Sequence, residues 1–348
     1  MNESANMFAD DMVKGRLYSL DFFRVLFIFY ILLSHVLSTL GIRNSLWLGV
    51  EFFFVLSGFF LASSVSSHQS TLAFVWNRWL RFAPCVFLGN CLVSLVLPFD
   101  PVAFAGDLLL VNEWGFLRED AWNAPVWYLS ALILVSAFQM LVIRRLPTRR
   151  LQVAALSLIV LATFPVLQVY GIGPCGGTKA GIPLRMLRGL CEMSIGMLVA
   201  YGLKSHSAVR MISGVGRSAQ VGLFLLVVLM PCFRHAYPRF WLFYVIVSAV
   251  LIAVVAVQAE TDKVFAYVGR KWTKYVLPIF CTHYFLIYWL DALVRRDPVG
   301  CEEHRAALLV AVVCAGIGVG VLAYHCVDKP CSRLLRRFSL SCEGGKSQ

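Results

Sequence analysis

Charge is scarce in this chain. Of its 348 residues only 14% are Asp, Glu, Lys or Arg, while 59% are hydrophobic and the mean hydropathy is +0.75. Soluble domains devote about a quarter of their residues to charge. A chain this long has enough apolar residues for a large core but lacks the polar surface to enclose it, so a soluble fold is excluded. Metal-ligand patterns are missing too. The eleven cysteines are scattered, with no Cys-x-x-Cys and no His/Cys cluster at metal spacing. Most fall inside apolar runs, where cysteine behaves as a small hydrophobe. Cys175 and Cys301 fall in loops that the orientation below places outside, where a disulfide can close. The first apolar run is too long for a cleavable signal peptide, and no small-residue cleavage site follows it. It reads as a retained signal anchor. There is no internal repeat, low-complexity tract or long linker. One membrane domain over residues 17–326 is therefore expected, between tails 1–16 and 327–348.

What the chain has is apolar runs of membrane-crossing length, which requires about 20 residues per helix. They fall at 17–41, 47–63, 84–98, 125–143, 151–171, 183–203, 218–233, 240–258, 273–294 and 306–326. A shorter run, 102–111, cannot span and reads as re-entrant or interfacial. The expected fold is an all-α, polytopic bundle of about ten transmembrane helices. The net charge of +12 does not indicate nucleic acid. The basic residues sit in short loops between apolar runs, where they act as topology signals and anchors to lipid headgroups. Most of the 31 Lys and Arg come to lie inside if the N-terminus is inside. The loop after the third run, with Asp100, Asp107, Glu113, Glu119 and Asp120, then lies outside. Both termini are therefore expected to be cytoplasmic.

Ionisable residues inside a bilayer are costly and mark candidate sites. The first run carries Asp21, Arg24 and His35. Arg24 and His35, eleven residues apart, fall within roughly 20° of one helix face and about 16 Å apart along it. They line one wall, while Asp21 can pair locally with Arg24. The spacing fits equally an Arg–Asp pair snorkelling to the interface with a histidine satisfied in the bundle. Glu51 opens the second run after a short turn, at a depth similar to His35, where a carboxylate can fix the imidazole tautomer and raise its basicity. A carboxylate lying at the headgroups fits that spacing as well. Arg78 and Arg81 share a helix face and suit a phosphate group. The same pair also reads as a positive-inside flank with tryptophan anchors. His283 falls in the ninth run as a cavity-lining or packed histidine. Arg185, Arg188 and Glu192 share a face of the sixth run.

Together these residues resemble acyltransferase family 3, the integral-membrane O-acyltransferases of bacterial surface polysaccharides. The stretch from Leu20-Asp21-Phe22-Phe23-Arg24 to Ser34-His35 is similar to the family's opening. Gly49 to Phe59, with Glu51 before Phe-Phe-Val-Leu-Ser-Gly-Phe, is similar to its next block. Arg78 and Arg81 fall where the family has paired basic residues. Ala124-Pro125-Val126-Trp127-Tyr128-Leu129, Pro278 to His283, and Val327-Asp328-Lys329-Pro330 followed by Arg333 resemble its later landmarks. In one departure, Leu132 stands where many members have glutamate, which leaves the subgroup and the acceptor open.

The resemblance implies transfer of an acyl group, most often acetyl, from cytoplasmic acetyl-CoA to a hydroxyl of a cell-surface glycan or its lipid-linked precursor, in a bacterial inner membrane. It implies no permanently bound cofactor, while the cysteine and charge patterns above lead to the expectation of no metal and no nucleic-acid partner. His35, oriented by Glu51 and accompanied by Arg24, would act as general base or carry the acyl group. Arg78 and Arg81 would hold phosphates of coenzyme A, and Trp127 and His283 would line the acceptor site. The competing reading is a multi-pass transporter or glycolipid flippase without chemistry of its own. The absence of two related halves counts modestly against it.

Overall fold

The computed structural model describes residues 17–65, 70–114, 121–170, 178–179, 182–233, 240–258 and 263–335. The regular structure of the described residues is helical apart from a short antiparallel ladder, β1 (Thr178–Lys179) with β2 (Ile182–Pro183). Each of the ten apolar runs coincides with helix. The helices are α1 (Tyr18–Thr39), α2 (Gly49–Val65), α3 (Thr71–Val93), α4 (Pro101–Leu109), α5 (Val126–Arg144), α6 (Arg149–Tyr170), α7 (Leu184–Gly202) and α8 (His206–Ser213). They continue as α9 (Arg217–Leu229), α10 (Trp241–Val257), α11 (Lys263–Trp272), α12 (Val276–Thr282), α13 (Tyr284–Arg296), α14 (Pro298–Glu303) and α15 (Arg305–Ala323). The last helix runs on through a π-helical turn, Tyr324–Asp328, to Leu335, beyond the expected boundary at 326.

Among the described residues five helices are long and apolar enough to cross a membrane, or seven if each of two bent pairs is one span. The ten expected crossings are not all among them, for physical reasons. Helix α3 carries Arg78 and Arg81 in its first half, so only its second half is apolar. Helices α9 and α10 have 13 and 17 residues, against the roughly 20 that a crossing usually takes. Helix α7 breaks by 95° into α8, and the helix ending at Thr282 bends by 46° into α13. The apolar helices nevertheless make this a membrane protein. Only 17% of the apolar window of α6 and 22% of that of α15 are buried within the protein. Leu161 is 70% and Val310 61% exposed, an arrangement that lipid accommodates and water does not.

The chain divides into two compact units: Met1–Ser34, Arg43–Thr71 and Leu134–Thr273 in the first, and His35–Ile42, Leu72–Ile133 and Lys274–Gln348 in the second. In the first unit α2 and α6 both pack on α7, and α10 packs on α2, α7 and α9. In the second, α15 packs on α12 and α13. Local chemistry sets the start of α4 there. Asp100 caps α4 by accepting from the amides of Val102 and Ala103 at 2.9 and 3.0 Å, and Pro101 occupies its first position. The indole of Trp79 donates to the Leu108 carbonyl at 2.9 Å and ties α4 to α3. Of the expected disulfide pair, Cys175 lies outside the described residues, and Cys301 is a buried free thiol in α14. The expected tail 1–16 also lies outside them.

Candidate active site

The second unit gathers histidines. His283 falls at the junction of α12 and α13, and its own chemistry accounts for the bend. Its Nδ1 lies 2.9 Å from the Ile279 carbonyl and 3.1 Å from that of Phe280. Carbonyls only accept, so Nδ1 carries the proton and Nε2 keeps the lone pair. One residue earlier, the Thr282 hydroxyl donates to the Pro278 carbonyl at 2.7 Å. Side chains inserted into the i to i−4 ladder on consecutive positions bend a helix. His283 is buried, and its Nε2 has no hydrogen-bond partner among the described residues.

The ring of His35, near the end of α1, lies 5.5 Å from that of His283 and meets Tyr284 edge-on at 5.0 Å. His35 is half-buried and makes no hydrogen bond with any described residue. Two imidazoles thus lie side by side, one with its tautomer fixed by backbone, the other without a partner. Such a pair can accept a proton from a hydroxyl and pass it on.

The segment carrying His283 is held tightly. Gly89 of α3 lies against the Cys281 carbonyl and Gly320 of α15 against Ile279, so closely that a Cβ on either would collide. Only glycine permits such backbone approach. The Asn123 amide group donates to the Cys281 carbonyl at 2.8 Å, and the Asn123 backbone N–H donates to Asp107 at 2.7 Å. Tyr288 donates to the Trp122 carbonyl at 2.9 Å. Asp107, read from sequence as an outer-loop acid, is fully buried, and its second carboxylate oxygen has no hydrogen-bond partner among the described residues. Burial pushes its pKa up to about 7, against the opposing pull of the Asn123 and Trp122 amides. An acid in an otherwise apolar helix was the sequence signal that would have identified it.

Other expected residues have found definite partners. Arg81 pairs through both terminal nitrogens with Asp328, which is buried, while Arg81 remains 44% exposed. This joins the paired basic residues to the C-terminal acidic landmark. Arg78 stacks on Phe74 at 4.5 Å. Trp127 is half-buried and lies edge-on to Tyr128 at 6.2 Å.

In the first unit Arg24 pairs with Asp21 at 2.7 Å and lies 4.9 Å over the Phe60 ring. The partner the structure gives Glu51 is Arg188, which forks onto both its carboxylate oxygens, with Nε to Oε2 at 2.7 Å. The Arg188 Nε is 3.7 Å from Glu192, which also accepts from the Trp241 indole at 2.9 Å. All three charged groups are buried. The pairing of Arg188 with Glu51, 137 residues away, leaves no trace in local spacing.

The acyltransferase domain family matches residues 17–325 of the chain. The acyltransferase MdmB of Streptomyces mycarofaciens is 26% identical over 319 residues, which cover 83% of this chain and 82% of its own length. No solved structure matches. The match over nearly the whole chain, from the opening of α1 to the π-helical turn that holds Asp328, means that this protein belongs to acyltransferase family 3.

Proposed function

We propose that this protein is an O-acyltransferase of a bacterial inner membrane, with both termini cytoplasmic, that moves an acetyl group from acetyl-CoA to a hydroxyl of a cell-surface glycan or its lipid-linked precursor. The observation that carries the reading is the adjacent pair His35 and His283 in a chain of an acyltransferase family. The acceptor hydroxyl gives its proton to His35 as its oxygen attacks the thioester carbonyl. The tetrahedral adduct collapses, the carbon–sulfur bond breaks, and the imidazolium returns the proton to the departing thiolate. His283, fixed through Nδ1 by two carbonyls, offers Nε2 as an acceptor to the sugar hydroxyl or to a bridging water. Trp127 stacks on the sugar ring.

Arg78 and Arg81 hold phosphates of the donor. Asp328 uses two nitrogens of Arg81 and fixes the plane of its guanidinium, leaving its three other N–H donors to phosphate oxygens. The Arg24 face of α1 accompanies the pantetheine arm. Glu51 holds α2 against α7 through Arg188.

The test is transfer of label. Inverted membrane vesicles carrying the protein or its His35→Ala variant receive radiolabelled acetyl-CoA, and label is counted in extracted glycan and glycolipid. Label that depends on His35 is expected. A fully active His35→Ala protein rules out the mechanism. Absence of label in both, with acceptor material present, points to a transporter or another donor.

A further inference from the structure

The first unit has a cavity of about 320 Å³ where α2, α5 and α7 end and α6 begins. Arg144, Arg149, Lys204, Tyr201 and Gln152 line it, with no acidic residue among its lining residues. Cations at helix C-termini often serve as caps, and Arg144 does so. Its Nε and Nη2 donate to the Val65 and Ser64 carbonyls at the end of α2, both at 3.1 Å. Capping does not account for the other two. Neither Arg149 nor Lys204 makes a hydrogen bond or ion pair with any described residue. Both instead sit over one buried ring, Tyr201, at 5.8 and 5.4 Å. Gln152 is pinned by donating to the Ile143 and Leu146 carbonyls at 3.3 and 3.1 Å, which fixes the wall between them.

Gathering like charges around a cavity is unfavourable unless an anion offsets it. Burial and the neighbouring Arg149 both lower the pKa of Lys204, in the turn after α7, below the ordinary lysine value. The surrounding basic residues Arg145 and Arg150 do not line the cavity, so the site is more specific than a general positive flank.

We propose that this cavity is a phosphate-binding site, separate from the histidine pair and independent of the acyl-transfer reading. Arg149 and Lys204 contact the phosphate oxygens, while Arg144, anchored on α2, contributes fixed positive potential. Guanidinium forks and an ammonium on one small cavity suit a phosphomonoester, whose charge is about −2. That chemistry is common to the headgroup of an anionic lipid and to a soluble phosphorylated ligand.

The full-length protein tests this in two settings: neutral detergent titrated with inorganic phosphate, and phosphatidylcholine nanodiscs with or without phosphatidic acid. Thermal midpoint and probe affinity are followed. The expected result is stabilisation by one of the probes, with affinity falling roughly ten-fold or more in Arg149→Gln/Lys204→Gln. Response to phosphate identifies a soluble ligand, and response to phosphatidic acid alone identifies a lipid headgroup. The control Arg145→Gln/Arg150→Gln removes the same charge outside the cavity and keeps the wild-type response. Where the double variant fails to fold, the two single variants each show a partial loss. No shift with either probe, an undiminished shift in the cavity variants, or equal loss in the control overturns the site.

Discussion

The imidazoles of His35 and His283 lie 5.5 Å apart, and backbone carbonyls determine which nitrogen of His283 carries the proton. The two rings come from helices at opposite ends of the chain, so their meeting is a property of the fold. If they act as one proton-handling unit, losing either disables both. His35→Gln and His283→Gln are each expected to reduce label transfer by roughly 10²-fold to 10⁴-fold. The double variant is expected to fall no further than the worse single one. Comparable amounts of inserted protein in all variants make the comparison valid. Multiplying losses would mean that the two rings have separate roles.

Asp107 predicts a pH dependence of stability. Its carboxyl is raised from 3.8 to about 7 by burial, with Glu113 adding to the rise. A group whose folded pKa is raised stabilises the fold fully below the unfolded value, and that contribution is lost as pH rises through the folded value. Stability, followed as the midpoint of thermal unfolding in detergent, is expected to fall between about pH 4 and pH 7, the unfolding free energy by at most about 1.4 kcal/mol per pH unit. Asp107→Asn should flatten that slope while keeping an acceptor for the Asn123 amide. An unchanged slope in the variant would show that another group titrates.

What could be read from the sequence divides along physical lines. Helix positions were legible because apolar runs of bilayer length are a one-dimensional signal. The number of full crossings was not, because bends and short helices depend on interactions such as the His283 side chain capturing the Ile279 carbonyl. The family landmarks were legible as strings of residues, but their joining was not. Arg81 and Asp328 stand 247 residues apart. Glu51 could be seen to open an apolar helix, and a nearby histidine was the natural partner by depth. The fold supplies Arg188 instead, from a helix whose facing side only packing determines.

The Arg188 cluster gives a sharp test of what Glu51 does. Arg188→Met strands two buried carboxylates, at a cost of roughly 3–5 kcal/mol, and should sharply lower the yield of folded, inserted protein. Arg188→Lys should not rescue it, because one ammonium cannot fork onto both Glu51 oxygens. Glu51→Gln/Arg188→Met removes one stranded charge and should recover part of the yield. Monodisperse protein after gel filtration is the measure. A stable Glu51→Gln protein without label transfer would instead give Glu51 a direct part in the chemistry.

Arg81 and Asp328 are unequally exposed, and this makes a structural role separable from a donor-binding one. Asp328 is 2% exposed and Arg81 44%. Removing the arginine leaves a carboxylate buried without its charge partner, whereas removing the acid leaves a guanidinium that can turn to solvent. Arg81→Ala should therefore lower the thermal midpoint more than Asp328→Asn does. In the double variant the loss should be smaller than the sum of the two, because the stranded charge is gone. Donor binding behaves differently. If Arg81 grips a phosphate of the donor, the KM for acetyl-CoA should rise roughly ten-fold or more in Arg81→Ala and stay high in the double variant even as stability recovers. A KM that recovers together with the midpoint would make Arg81 a strut for the last helix, and donor recognition would then fall to Arg78 and its neighbours.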